Sequence, residues 1–237
     1  MTAPYLEYHG ILALELVLTW ASFSPIFPLL TAPRRDPFEE PPSSVPRLAC
    51  AVAATVAVAA AAASARRMRI RIPMSEQHGR RRGGDGFVRA ISRGAVGLVA
   101  GALVFHAVAV VLGAPVLRRA SETLTFSLLM SSLTSLPVSM SSEKPLEDCV
   151  EFLRGSSSPT AAHERGTMVP AAGCALGAWL GAIPLCLDWE QPWQAWPLPM
   201  CAGGLLGFSL GCLLLLGVGF AENVRRSFSF WRAEKRA

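Results

Sequence analysis

A tryptophan-rich segment between two long apolar stretches constrains the fold of this chain more than any other feature of its sequence. Residues 167–187 and 198–220 are each long and apolar enough to cross a bilayer, which takes about 20 residues. Indole rings favour the membrane–water boundary, because the ring is apolar while its N–H stays hydrated. Residues 188–197 are therefore predicted to form a tight turn between two spanning helices. Trp189, Trp193 and Trp196 are the boundary residues of this turn. Pro192 and Pro197 stiffen it, and Asp188 and Glu190 keep it hydrated.

Composition also indicates a membrane protein. Only 16% of the residues are charged and 51% are hydrophobic, whereas soluble domains average about 25% charged residues. Six stretches qualify as spans, at residues 10–30, 48–65, 94–116, 123–140, 167–187 and 198–220. The weakest is 123–140, which is rich in serine and threonine. Because hydroxyls can bond back to helix carbonyls, it is predicted to be a span; the alternative is a five-span chain with this stretch at the membrane surface.

The distribution of basic residues predicts the orientation. With six spans, the N-terminus, residues 66–93, residues 141–166 and the C-terminal tail share one side and carry 17 Lys and Arg, against 5 on the other side. Basic residues near span ends favour the cytoplasm. The sequence thus predicts an all-α polytopic membrane protein in which residues 1–237 form one six-span domain. Both termini and a basic, flexible loop at 66–93 are expected to be cytoplasmic, with anionic lipid rather than nucleic acid attracting the basic residues.

Glycines recur every four residues in the last two predicted spans. They are Gly173, Gly177 and Gly181 in one span and Gly203, Gly207 and Gly211 in the next, with a shorter pair, Gly97 and Gly101, in the third. This spacing places glycines along one helix face, where backbones can approach closely. Two such triplets on either side of one turn predict a tightly packed helical hairpin. The glycines pack either within the chain or, in part, against a helix of another subunit.

The sequence contains no arrangement typical of catalysis. The predicted lumenal segments have acidic residues but no histidine, and paired carboxylates, a phosphate-binding glycine loop and a Ser–His–Asp grouping are all missing. The six cysteines lack metal-ligand spacing and are expected to be small buried hydrophobes. His106 lies mid-span and is predicted to bond a neighbouring helix, while Glu15 lies close enough to a span end to reach water. No catalytic, cofactor-binding or metal-binding residue is assigned.

The tryptophan-rich string resembles the signature of the PIG-F family. The matching residues are Gly177, Trp179, Gly181, Pro184, Asp188, Trp189, Pro192, Trp193, Gln194, Trp196 and Pro197. Residues 133–137 are similar to the end of the family's fourth span, and Gly203 and Gly207 also fit. The first half resembles the family in hydropathy more than in residues. Cys186 stands where the family often has proline.

The resemblance implies a multi-pass protein of the endoplasmic reticulum that stabilises ethanolamine phosphate transferases in glycosylphosphatidylinositol (GPI) anchor synthesis. Its expected partners are two larger catalytic subunits, which modify the third and second mannoses, together with membrane lipid and the GPI precursor. The turn is expected to offer its tryptophans to the catalytic subunit, with Asp188 accepting hydrogen bonds inside it. The alternatives are a turn that only closes the hairpin, and a lipid-handling enzyme or glycolipid transporter that presents Trp179, Trp189 and Trp193 to a headgroup.

Overall fold

The computed structural model describes residues 82–115, 119–155, 161–187 and 196–234, together with residues 189, 191 and 194. All secondary structure in these ranges is helical, in agreement with the predicted all-α class. The elements are α1 (Arg82–Val111), α2 (Ala120–Leu133), α3 (Ser135–Ser141), α4 (Pro145–Leu153), α5 (Ala161–Leu180), a 3-10 turn (Ile183–Cys186) and α6 (Leu198–Glu234).

Four of the described helical stretches are long and apolar enough to cross a membrane. They are Val88–Val111, Ala120–Ser141, Gly166–Cys186 and Leu198–Ser229. These stretches overlap the last four predicted spans, which are thereby confirmed as helices. The first two predicted spans, at residues 10–30 and 48–65, lie outside the described residues.

The stretch that was weakest by hydropathy is the most buried of the four. In Ala120–Ser141, 83% of the most apolar part of the stretch is buried inside the bundle, compared with 22% in Val88–Val111. Its hydroxyls bond back to the helix: Ser127 Oγ donates to the carbonyl of Thr123 at 2.7 Å, and Thr134 Oγ1 donates to that of Met130 at 2.7 Å. A serine or threonine hydroxyl that donates to a carbonyl of its own helix has its hydrogen bond satisfied, so it needs no water. This burial favours the prediction that the stretch lies inside the helical bundle over the alternative that it lies at the membrane surface.

Two helices differ from their predicted limits. Helix α1 is already helical at Arg82, the first residue described there, so the part of the predicted loop at 66–93 from residue 82 onward is helical and continues into the span. It ends at Val111 rather than at residue 116, because Gly113 has a φ of 100° and Ala114 N–H bonds the carbonyl of Ala109 at 2.9 Å. These contacts form a Schellman C-cap.

The other helix that departs from its predicted limits is α6. It continues 14 residues past the predicted end at 220, up to Glu234, the last residue described. Hydropathy detects the part of a helix that lies in hydrocarbon, and a helix can persist beyond it.

The main core lies between α1, α2, α5 and α6. Its buried side chains include Phe126, Met130, Leu133, Cys174, Leu205 and Phe208. Cys174 Sγ lies 3.9 Å from Met130 Sδ, where α2 meets α5. The core therefore holds the weakest predicted span against the hairpin of α5 and α6.

Helix α4 packs at one end of the bundle, between two spans. Cys149 and Phe152 pack against a small cluster of buried residues that includes Met168. Ser142 Oγ accepts the Lys144 N–H at 2.9 Å. At the same end, Arg93 of α1 lies 3.7 Å from Glu143 and joins the start of α1 to the loop before α4.

Candidate functional site

The glycine triplets of α5 and α6 face each other directly. A Cβ built on Gly177 would overlap the carbonyl oxygen of Gly203, and one on Gly207 would overlap that of Gly173. At the open end of the hairpin, a Cβ on Gly211 would lie 2.7 Å from the Cα of Pro170. No side chain separates the two helices along this line, so their main chains are in contact. The structure thus places these glycines in packing within the chain.

Close to the turn, Gly181 continues the same line of contacts. A Cβ there would lie 3.0 Å from the Cα of Met200 and would overlap the carbonyl oxygen of Pro199. The hairpin is therefore in backbone contact up to the point where α5 ends. This contact brings the tryptophan-rich segment into a short connection between two closely packed helix ends.

Gln194 supplies the hydrogen bonds that hold the described part of the turn. Its Nε2 donates to the carbonyl oxygens of Pro184 at 2.6 Å and Leu187 at 2.7 Å. Its Oε1 accepts the backbone N–H of Gln191 at 2.9 Å. One amide side chain thus ties the 3-10 turn to the segment that follows it. Asp188, for which this role was predicted, lies outside the described residues together with Pro192 and Trp193.

Trp196 points into the bundle instead of outward as expected. Its Nε1 donates to Thr123 Oγ1 at 3.2 Å, and its ring centroid lies 5.6 Å from that of Phe126. Both partners belong to α2. The next residue, Pro197, is buried, and its carbonyl accepts the N–H of Cys201 at 3.0 Å in the first turn of α6. Trp196 therefore joins the hairpin to α2.

The other two described tryptophans of the motif are exposed. Trp179 is 65% exposed and Trp189 is 54% exposed. Trp179 shares one face of the chain with three other exposed apolar residues at helical spacing, Leu176, Leu180 and Ile183. We call Leu176, Trp179, Leu180, Ile183 and Trp189 the hairpin face. It is an apolar surface whose backbone is fixed by the glycine contacts and by Gln194.

A family model described as GPI biosynthesis protein family Pig-F matches residues 23–216. The chain belongs to this family. It is 32% identical over 110 residues to a human protein named "GPI ethanolamine phosphate transferase, stabilizing subunit", which covers 46% of this chain and 50% of the human one. It is 31% identical over 116 residues to "Glycosylphosphatidylinositol anchor biosynthesis protein 11" of Candida albicans, covering 49% and 44% respectively.

A further relative of this Pig-F chain is a Schizosaccharomyces pombe protein named "PIGF/3-ketodihydrosphingosine reductase fusion protein". The two are 32% identical over 122 residues, which is 51% of this chain and 24% of the relative. The chain spans about half the length of the human relative, and less of the two fungal ones. No solved structure matches the chain.

The signal missed in the sequence of this Pig-F member is a row of hydroxyl residues in α2 and α3. The residues recur every four positions at Thr123, Ser127, Ser131, Ser135 and Ser139. A Cβ on Gly97 would overlap the side chain of Ser139, and one on Gly101 would overlap those of Ser131 and Ser135. Ser131 Oγ also donates to the carbonyl of Leu98 in α1 at 2.7 Å. A row of small residues at a four-residue spacing is itself a packing signal.

The described part of the Pig-F chain contains no group of three or more His, Cys, Asp or Glu side chains that could hold a metal. At the end of the bundle that carries Trp196, Glu122 lies 3.8 Å from Arg119, so this acid forms an ion pair in the first turn of α2. Nδ1 of His106 is buried with no hydrogen-bond partner among the described residues, so the predicted bond to a neighbouring helix is not found there.

The cysteines of the Pig-F chain follow the prediction in part. Cys174 and Cys212 are buried, Cys149 and Cys201 are partly buried, and Cys186 is exposed because the 3-10 turn places it on the outside. Outside the spans, burial and the nearby Asp148 carboxylate raise the pKa of the Cys149 thiol. A raised pKa keeps this thiol protonated and poorly nucleophilic at neutral pH. Cys50 lies outside the described residues.

Proposed function

We propose that this chain is a non-catalytic stabilising subunit of the ethanolamine phosphate transferases that act on mannoses of the GPI anchor precursor in the endoplasmic reticulum membrane. Membership of the Pig-F family and the names of the human and mouse relatives support this function. The observation that carries it is the hairpin face, an exposed aromatic surface on a hairpin that is held by contacts of its own. Such a surface binds a partner with little loss of conformational entropy.

The hairpin face binds the larger catalytic subunits, which act on the third and second mannoses. Trp179 and Trp189 are large, exposed and attached to a fixed backbone, and tryptophans are enriched among the residues that dominate association energy. Trp193 lies outside the described residues, and its contact with the partner remains a prediction from the sequence. Trp196 takes no part in this surface, because it is engaged with α2.

The proposed orientation has six spans, with residues 1–237 forming one domain. Both termini and the basic segment 66–93 are cytoplasmic, and the turn at 188–197 is lumenal. The support is the distribution of Lys and Arg, 17 on one side against 5 on the other. Glycosylation acceptors inserted in each segment test the orientation. Modification of an acceptor in segment 66–93 contradicts it.

The decisive experiment is affinity isolation of the full-length chain in mild detergent, followed by identification of the co-purifying subunit. Trp179→Ala, Trp189→Ala and Trp193→Ala are each compared with Leu210→Ala, an equally exposed apolar position on α6. We expect each tryptophan variant to weaken co-isolation by roughly 30-fold, the effect typical of an interface hot spot. Leu210→Ala should leave co-isolation unchanged.

Three other outcomes redirect the proposal. Normal pairing with slower transfer assigns the hairpin face to the glycolipid. Normal pairing with normal transfer leaves the turn with the sole role of closing the hairpin. Transfer or lipid transport by the purified chain without a partner identifies an enzyme or a transporter.

A lipid readout tests the step in the pathway. Loss of the chain should accumulate GPI intermediates that lack ethanolamine phosphate on the later mannoses. Analysis of the accumulated lipids by mass spectrometry distinguishes them from earlier intermediates. A block at the addition of glucosamine or of a mannose contradicts the proposed function.

A further inference from the structure

Helix α6 is longer than a bilayer is thick. Its 37 residues rise about 55 Å, whereas the hydrocarbon core measures about 30 Å. Counted from Leu198, beside the tryptophan-rich segment, about 20 residues fill the hydrocarbon. The first ionisable residue of the helix is Glu222. Residues 218–234, which we call the α6 extension, therefore lie at or beyond the membrane surface.

An apolar stripe continues along the extension. Phe220, Val224 and Phe228 recur every four residues and so share one helix face. They are 72%, 39% and 59% exposed respectively. In sequence, Trp231 occupies the next position on the same face. An aromatic stripe of this kind, left in water, would lose the free energy that burial of its apolar area provides.

Basic residues accompany this stripe. From Glu222 to the C-terminus the sequence has five Lys and Arg against two Glu, whereas residues 198–221 have no charged residue. Arg225 is exposed and, three residues before Phe228, lies beside the stripe. Basic amphipathic helices with aromatic residues on the apolar face lie in the membrane interface. The charge and the stripe therefore both match an anionic lipid surface.

A glycine marks the point where the extension begins. Among the described residues, no atom outside the neighbouring turns of α6 lies within 4 Å of the position that a Cβ on Gly217 would occupy. In contrast, Gly203 and Gly207 each touch the backbone of α5. Packing within the described part of the chain therefore does not require glycine at 217. Glycine in an otherwise regular helix lowers the resistance to bending, which allows the extension to turn toward the interface.

We propose that the α6 extension is an interfacial segment that binds anionic phospholipid of the chain's own membrane. The arginines contact the lipid phosphates, and Phe220, Val224 and Phe228 enter the boundary of the acyl chains. Lipid is the occupant because the stripe continues directly from the part of α6 that lies in the bilayer. This binding is separate from the hairpin face and does not depend on the catalytic partner.

The test uses the full-length chain in nanodiscs of phosphatidylcholine alone and of phosphatidylcholine mixed with phosphatidylserine. Hydrogen–deuterium exchange is measured for peptides that cover residues 218–234. We expect slower exchange in the mixed discs. The Arg225→Gln/Arg226→Gln variant should lose most of this difference, because each basic residue near an anionic surface contributes roughly a fivefold gain in binding. Lys144→Gln/Arg154→Gln, which removes two exposed basic residues elsewhere, should retain it.

A salt titration of the unsubstituted chain gives an independent result. High salt should reduce the difference between the two discs, because the interaction is screened. Equal exchange in both discs overturns the proposal, as does a difference that survives both high salt and the arginine substitutions. Protection that appears only with the catalytic subunit, in neutral discs, assigns the stripe to the partner and overturns the proposal as well.

Discussion

Two interfaces in the bundle are lined by glycine, and they differ in what lies opposite. Between α5 and α6, Gly177 faces the carbonyl of Gly203, so main chain meets main chain. Between α1 and the α2–α3 pair, Gly101 faces the side chains of Ser131 and Ser135. The first contact is relieved only if a whole helix moves. The second involves side chains only, so it can be relieved without moving a helix.

The hairpin is therefore a rigid contact, whereas the serine interface can adapt to a substitution. Between helices in lipid, the hydrophobic effect contributes little, and close packing with interhelical hydrogen bonds provides the association energy. The glycine line of the hairpin contributes main-chain packing, and the serine interface adds a hydrogen bond from Ser131 to the carbonyl of Leu98. The hairpin face is thus carried by the less adaptable of the two interfaces.

The largest effect is expected for Gly207→Ala. Its Cβ would overlap the carbonyl of Gly173, and a backbone atom cannot rotate away. Overpacking typically costs 1–3 kcal/mol, and we expect about 3 kcal/mol of the free energy of unfolding in mixed micelles. Gly217→Ala is the control: because no described residue of another helix lies against it, it should gain up to about 1 kcal/mol from helix propensity. Equal effects at the two positions would remove the distinction between the interfaces.

A smaller and reversible effect is expected for Gly101→Ala. The added methyl group would displace Ser135 and disturb Ser131, with an expected cost of about 2 kcal/mol. Adding Ser135→Gly removes the overlap with Ser135 and should restore part of the stability, because Ser131 still lies against the added methyl group. Unfolding of the single and double variants in mixed micelles measures the coupling between the two sites. If the double variant is no more stable than Gly101→Ala, the serine interface is as fixed as the hairpin.

The two interfaces also differ in how far the sequence predicted them. The hairpin was predicted from glycine spacing, because two triplets on either side of a short turn have few other uses. The serine interface was missed, because a hydropathy average counts serine as polar and so as a weakness of the span. In the structure, hydroxyls such as that of Ser127 bond to their own helix, which leaves a small, smooth surface.

What lies opposite a glycine cannot be read from the spacing. Gly97 and Gly101 have the same four-residue spacing as the hairpin glycines. The neighbour of Gly97, however, is the side chain of Ser139 and not the backbone of another glycine. The same holds for the tryptophans, which all suit a membrane boundary by composition. Trp196 points inward because Thr123 and Phe126 lie within its reach, and this placement depends on how α2 packs against the hairpin.

The next largest effect is expected for a substitution of Gln194, which holds the turn of the hairpin. Gln194→Glu keeps the shape of the side chain but places a carboxylate against the carbonyls of Pro184 and Leu187. Hydrogen bonds contribute about 0.5–1.5 kcal/mol each, and for these partly exposed bonds we expect a total loss of about 1.5 kcal/mol. Exchange of the amides of residues 168–178 in α5 serves as an internal reference for global unfolding, while exchange of the amides of residues 183–194 reports the turn. Unchanged exchange in the turn would show that Gln194 does not hold it.

The smallest effect is expected at the contact between Trp196 of the hairpin and α2. Trp196→Phe removes the hydrogen bond to Thr123 but keeps an aromatic ring near Phe126. Interhelical hydrogen bonds in membrane proteins average about 0.6 kcal/mol, so unfolding in mixed micelles should change by about that amount. Thr123→Val, which also removes the acceptor, should add little when combined with Trp196→Phe. A loss similar to that of Gly207→Ala would instead make the contact with α2, rather than the glycine line, the main support of the hairpin.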